Sequence, residues 1–382
     1  MIRPLKLVLL FLPFLVGWCV LLDTPFHRLS KGTLTGVVRQ AAAPSVSLRN
    51  LWSGAFQSAF EQWFEQELSF RPALVRSANT LNLEVFGEIS GHADIPIVLG
   101  ENNTLFEMNN IADANAVMLQ NGYVPPPSPY TVQESARRVG LVARKLTARN
   151  IGFLFVFYPH KAWMEPELVS PRFRLPGGRE KAAAGYQRLL AALRENGVPV
   201  VDGVEIVTHL RESEPELPLY NRGGTHWTYP AACSVAQVIV DRIFGRADLE
   251  AEKSPLRCAL GRAELARGTD IDIAQLSNVW DISRFRDLIP SVRPRLSVKF
   301  PGVPPSTLVV GTSFSSHLID LLRRASAVKS VRYLEYYRHT NASGIDWQGD
   351  VAQRSLIVLE QSQGSSLTAN SSEFVDDLLR EL

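Results

Sequence analysis

Apolar positions along the chain keep two rhythms, and the switches between them outline a fold. Over residues 152–158 nearly every position is apolar, as in a strand buried on both faces. Before it, Thr131 and Glu134 have the spacing of a capping box, and the positions that follow predict a helix to about residue 150. A helix over 179–196, stopped by Gly197, leads into a second strand at 198–201. Thr228 and Pro230 open a helix that reaches residue 244. Residues 308–311 read as a further buried strand, with a helical stretch at 318–324. Strands at 328–334 and 356–360 and a closing helix at 372–382 complete the series. Strands alternating with helices of this length predict an α/β fold, a mostly parallel sheet with helices on its faces. Such sheets hold ligands at the carboxyl ends of their strands, which makes Tyr158, His160, Lys161 and Asp202 candidate cleft residues.

The first third of the chain is different. Arg3 and Lys6 precede an apolar run over 7–22, interrupted only by Pro13 and Gly17. That is the charged start and apolar centre of an export signal. No small-residue cleavage site follows, so residues 1–30 are expected to be a signal anchor; a cleaved signal and a buried helix are the alternatives. Residues 31–90 are expected to be a linker and amphipathic helices. Trp52, Phe56, Phe60, Trp63, Phe64 and Leu68 recur at helical spacing, a stripe read as core rather than a docking face. A second helix is expected over 71–86, and strands at 95–99 and 104–108 flank the turn at 100–103. Residues 91–382 form the remaining domain, within which 250–305 has no clear period and predicts loops and short helices.

Composition narrows the function only a little. At 382 residues, 46% hydrophobic and 20% charged with net charge +2, the chain is globular, with no basic excess for nucleic acid and no disordered block. Its three cysteines and scattered histidines show no metal-ligand spacing, so no metal or cofactor is expected. Cys233 and Cys258 are either a disulfide or two buried thiols.

The most suggestive stretch is Gly311-Thr312-Ser313-Phe314-Ser315, where a strand breaks into a helix. A serine at such a corner stands clear of the sheet, beside backbone N–H groups able to bind an oxyanion; Ser313 and Gly311 are the candidate donors. A serine N-cap is the structural alternative. The candidate base is His226, in the glycine-containing loop 221–228 just ahead of a helix.

Several motifs taken in order resemble the alginate O-acetyltransferase family, the AlgX and AlgJ type with an SGNH-hydrolase-like domain. They are Phe60 to Phe64 with Phe70-Arg71, then Val98-Leu99-Gly100 with Leu105-Phe106, then Tyr158-Pro159-His160-Lys161. Thr225-His226-Trp227-Thr228 and the Gly311 to Ser315 stretch complete the set. The resemblance implies an SGNH-like α/β domain in which Ser313 attacks an acetyl donor, His226 takes its proton, and an acetyl-serine passes the group to a polysaccharide hydroxyl. It implies substrate contacts at Trp227, Thr225, Lys161, Tyr158 and Arg338. It also implies an alginate-like or other exopolysaccharide acceptor and a membrane-bound O-acyltransferase that supplies acetyl groups. Location would be the bacterial inner membrane, with the catalytic domain in the periplasm. The family's triad aspartate falls two residues before the histidine, and Gly224 stands there. Three readings stay open. A backbone carbonyl orients His226, a carboxylate from elsewhere such as Asp202 does so, or the domain is an inactive glycan-binding scaffold. An acetyl esterase would share the same serine and histidine.

Overall fold

The computed structural model describes residues 33–36, 42–67, 71–89, 96–117, 128–245, 254–300, 302–335 and 347–382. The apolar run at 7–22 and Arg338 lie outside them. Among the described residues no helix is long and apolar enough to cross a membrane. The chain forms two compact units: residues up to His92 with Ala274–Ser283, and Ala93–Ile273 with Arg284–Leu382.

Among its described residues the first unit contains the helices α1 (Leu48–Ser53), α2 (Ala55–Glu67) and α3 (Arg71–Phe86). The aromatic stripe does not run along one helix. Gly54, with φ at 78°, closes α1 in the left-handed region and starts a new axis. Trp52 is therefore 95% exposed rather than core, while Phe56, Phe60 and Phe64 stack along α2. Asn79 on α3 is buried, and its amide donates to the Ser277 carbonyl.

The second unit is built on a five-stranded parallel sheet. Its chain order is β1 (Ile97–Leu99), β2 (Leu105–Glu107), α4 (Met108–Ala114), α5 (Val132–Thr147), β3 (Gly152–Tyr158), α6 (Lys161–Met164) and α7 (Gly178–Glu195). Then come β4 (Val200–Asp202), α8 (Gly203–Ser213), α9 (Tyr229–Ile243), β5 (Leu256–Leu265), α10 (Asp272–Leu276) and β6 (Leu288–Leu296). It closes with β7 (Ser306–Gly311), α11 (Ser315–Arg324), β8 (Ser330–Glu335), α12 (Trp347–Ala352), β9 (Leu356–Ser362) and α13 (Ala369–Glu381). The strand order is β4-β3-β9-β7-β8, and every neighbouring pair is parallel.

Side chains alternate across a strand, so β3 feeds two cores. Phe153, Phe155 and Phe157 pack with α5, α7 and α13; Leu154, Val156 and Tyr158 pack with α9 and α11. Thr131 caps α5 by accepting the Glu134 N–H, and Gly197 sits at φ 72° just past α7. Residues 250–305 differ from expectation. They contain an antiparallel ribbon, β5 with β6, whose outer faces are exposed, so no buried face imposes a period on its sequence. A disulfide joins Cys233 on α9 to Cys258 on β5, with the Cα atoms 6.6 Å apart, and ties the ribbon to the sheet's helical layer.

Candidate active site

At the carboxyl end of β7 the chain turns a corner in three residues before α11 begins. Thr312 and Phe314 are 6% and 5% exposed, whereas Ser313 between them faces solvent. Each neighbour is held inward by its own contacts. Phe314 stacks on Tyr158 at 4.0 Å between centroids, and its carbonyl accepts the Trp227 indole N–H at 3.2 Å. Thr312 accepts the Tyr333 hydroxyl on its carbonyl at 2.7 Å and gives its own N–H to Glu360 at 2.6 Å. Ser313 keeps its N–H without an acceptor among the described residues, which leaves it a donor for an oxyanion. Gly311 is not such a donor. It is the last residue of β7, in the ladder opposite Glu335, and its missing side chain makes room for Glu360, because a Cβ there would lie 2.2 Å from Oε2.

The base loop is assembled from farther afield. Tyr220 and Trp227 form an antiparallel bridge, and the Thr228 N–H reaches the Leu219 carbonyl, closing the loop over 221–226. Beneath it, the fully buried Lys161 ammonium donates to the carbonyls of Leu105, Asn221, Arg222 and Gly224 at 2.6–3.0 Å. Lys161 is therefore the tie that shapes this loop, not a substrate contact, and burial lowers its pKa. Asp287 adds a second tie through the Arg222 N–H and guanidinium. Trp227 has no exposed surface and Tyr158 is 4% exposed, so both expected substrate contacts are packing residues that hold Phe314. Thr225 is likewise enclosed, its hydroxyl accepting from the Asn110 amide at 3.0 Å.

The loop presents His226 with Nε2 2.8 Å from the Ser313 hydroxyl oxygen. On the far side of the ring, Asp272 Oδ2 is 2.8 Å from Nδ1. Asp272 opens α10, and its other oxygen accepts the N–H groups of Thr225 and Ile273 at 2.9 and 2.8 Å. One carboxylate thus fixes both the loop backbone and the ring. The Asp272 charge beside Nδ1 favours a proton on that nitrogen, which leaves the Nε2 lone pair to Ser313, the tautomer a general base requires. Burial works against the imidazolium, but the Asp272 carboxylate and the Glu107 charge outweigh it and raise the His226 pKa above 6.5.

Asp202, one candidate for the orienting acid, has another role. It accepts the Tyr186 hydroxyl at 2.6 Å and caps α8 through the Glu205 N–H at 3.1 Å. It ends β4, with β3 and β9 standing between that strand and β7, about 14 Å at ordinary strand spacing. Gly224 is explained by the acid that replaces it. The Asp270 carbonyl lies 2.4 Å from where a Cβ on residue 224 would be, so the segment that delivers Asp272 occupies the space of a side chain there.

Other titratable groups crowd this end of the sheet and escaped the sequence reading. Burial and then the Asp272 charge push Asp270 up to about 6 and raise Glu107. Burial and then His226 push His317 down to about 4; its ring lies 6.3 Å from that of His226. Glu360, in β9, is pushed up to about 8 by burial.

The sequence-family model for the SGNH hydrolase-like domain of the acetyltransferase AlgX matches residues 119–333, a stretch containing His226, Asp272 and Ser313. No curated protein matches the chain. Among solved structures, the O-acetyltransferase domain of Pseudomonas putida AlgJ is similar at 16% identity and TM-score 0.48, over 75% of this chain and all 100% of that one. Pseudomonas aeruginosa AlgX is similar at 16% identity and TM-score 0.47, over 80% of this chain and 70% of that one. On the family match, which spans more than half of its residues, the chain belongs to the AlgX-type SGNH hydrolase-like acetyltransferase family.

Proposed function

We propose that the protein is an O-acetyltransferase that moves an acetyl group through Ser313 onto hydroxyls of a polysaccharide outside the cytoplasm. The observation that carries this reading is the Ser313–His226–Asp272 relay, two contacts of 2.8 Å on opposite sides of one imidazole. In the first half-reaction Ser313 Oγ attacks the acetyl carbonyl while His226 Nε2 takes its proton, and the Ser313 N–H meets the oxyanion. The imidazolium, stabilised by Asp272, then returns that proton to the leaving group, and an acetyl-serine remains. In the second half a sugar hydroxyl attacks the ester and His226 accepts its proton; collapse then breaks the bond to Ser313 Oγ, which takes that proton back from the imidazolium. Asp272 beside His226 supports an active site where Gly224 alone argued for an inactive scaffold.

The apolar run at 7–22 after Arg3 and Lys6 supports a membrane anchor with the domain on the outer side, and the Cys233–Cys258 disulfide suits an oxidising compartment. A membrane-bound acyltransferase would then supply the acetyl group. The test is to incubate the protein with an aryl acetate, locate the acetyl group by peptide mass spectrometry, and add oligosaccharides of exported polymers. Acetyl on Ser313 that passes to a sugar faster than to water is expected. Acetyl-Ser313 that only hydrolyses would make the protein an esterase, and no acylation of Ser313 would overturn the reading.

A further inference from the structure

We propose that Glu360 is a positioning residue whose carboxyl group clamps the corner carrying Ser313 and reserves the Ser313 N–H for the oxyanion. This rests on the acyl-transfer reading above. Glu360 lies beyond the family-matched stretch, on the strand beside β7, and only 2% of it is exposed. Its Oε2 accepts the Thr312 N–H at 2.6 Å and the Ser315 hydroxyl at 3.0 Å, and both of its oxygens lie 3.1 Å from the Thr312 hydroxyl. Thr312, just before the nucleophile, and Ser315, two positions after it, are therefore held by one group. The Thr312 N–H and the Ser315 hydroxyl converge on Oε2 with the Thr312 hydroxyl beside both oxygens, and a shorter or apolar side chain would leave these groups without that partner in the interior.

Gly311 gives independent support. A Cβ there would lie 2.2 Å from Glu360 Oε2, 2.7 Å from Ser315 Oγ and 2.8 Å from Glu360 Cβ. Its φ is not in the left-handed region, so the need for glycine is room for this carboxyl rather than backbone conformation. By taking the Thr312 N–H, Glu360 also leaves the adjacent Ser313 N–H as the donor that remains open at the corner.

The clamp works best as the neutral acid. Oε2 can then accept from Thr312 N–H and Ser315 while Oε1–H donates to the Thr312 hydroxyl. An ionised carboxylate would put a second negative charge behind the developing oxyanion. Burial holds the acid protonated up to about pH 8, against the lowering effect of its hydrogen bonds and of His226. His226 faces it from the base loop; from the α13 side Thr368, Asn370 and Ser371 line the adjoining space and are uncharged. Deprotonation through about pH 8 should therefore slow acylation.

The test compares wild type, Glu360→Gln, Glu360→Ala and Gly311→Ala in the full chain, following Ser313 acylation by an aryl acetate from pH 5.5 to 9.5. Wild type is expected to lose rate above about pH 8. Glu360→Gln, which reproduces the neutral acid, should keep the neutral-pH rate within about threefold and lose the alkaline decline. Glu360→Ala should lower the acylation rate constant about 30-fold or more with little change in KM, the mark of a misplaced nucleophile. Gly311→Ala should cost as much in wild type and less in Glu360→Ala, where the 2.2 Å contact with Oε2 is gone while those with Ser315 Oγ and the Cβ of residue 360 remain. An unchanged rate in folded Glu360→Ala would overturn the proposal. So would an alkaline decline that survives in Glu360→Gln, or losses that match only the unfolded fraction seen in thermal melts. In each of those cases wild-type acylation leaves the acyl-transfer reading standing; a wild type never acylated at Ser313 overturns both.

Discussion

The nucleophile corner and the base loop do one job but are built in opposite ways. The corner is local: five consecutive residues make it, and its main outside partners are Glu360 one strand over and Tyr158 and Trp227 under Phe314. The base loop is a collection. Lys161 draws in its carbonyls from below, Asp287 anchors Arg222, and Asp272 arrives from a segment 46 positions after the histidine it orients. A nucleophile has to sit where strand meets helix, because the corner itself provides the exposed hydroxyl and the N–H. The acid needs only to reach Nδ1, and any segment that docks beside the loop can bring it. Gly224 and Asp272 are then two halves of one arrangement, since the Asp270 carbonyl fills the space a side chain at 224 would need.

That contrast breaks first at the acid. Asp272→Asn should lower the rate of Ser313 acylation by about 10³–10⁴, the cost of losing a triad carboxylate, while Asp202→Asn leaves the rate near wild type. Stopped-flow measurement of aryl acetate turnover reads both. Next in size is the tie beneath the loop. Lys161→Met removes the ammonium from four carbonyls, of which those of Asn221 and Arg222 keep a backbone N–H, and should cost about 3–5 kcal/mol in urea unfolding. The ribbon responds less. Cys258→Ser opens a 25-residue separation and should cost about 3 kcal/mol, seen as a lower midpoint in the same titration. Smallest is Gly224→Ala, about 1–3 kcal/mol, because its Cβ meets a backbone carbonyl at 2.4 Å and the 268–272 segment must shift. If that segment instead carries the acid independently of residue 224, Gly224→Ala will keep full acylation.

How much could be read from the chain follows the same division. β3, β7, β9 and the helices between them carry their periods openly because both sheet faces are buried, and Ser313 and His226 stand at chain positions that such a sheet brings together. Lys161 stands out as a lysine at a strand end, but only the fold shows that its ammonium faces four carbonyls rather than a substrate. Asp272 lies in a stretch without apolar period, between two strands of an exposed ribbon, so no pattern marks it; the Asp270-x-Asp272 pair just before a helical turn is the faint signal present. Asp202 looked right by position and was wrong by occupation, its carboxyl already committed to Tyr186 and the α8 terminus. Glu360 was hidden by its strand, where an acid in an apolar run gives no hint of the Thr312 and Ser315 groups facing it.

The most direct test of the account is the pH dependence of Ser313 acylation in wild type and Asp272→Asn. A general base must be neutral, so the rate climbs as pH rises through the His226 pKa. In wild type that limb should lie above pH 6.5, where the Asp272 contact holds it against burial. In Asp272→Asn the largest raising influence is gone while burial and the weaker Glu107 charge remain, and the limb should move to lower pH as the plateau falls by about 10³–10⁴. An Asp272→Asn profile that keeps both the wild-type limb and the wild-type plateau would contradict the assignment of Asp272 as the residue that orients and charges His226.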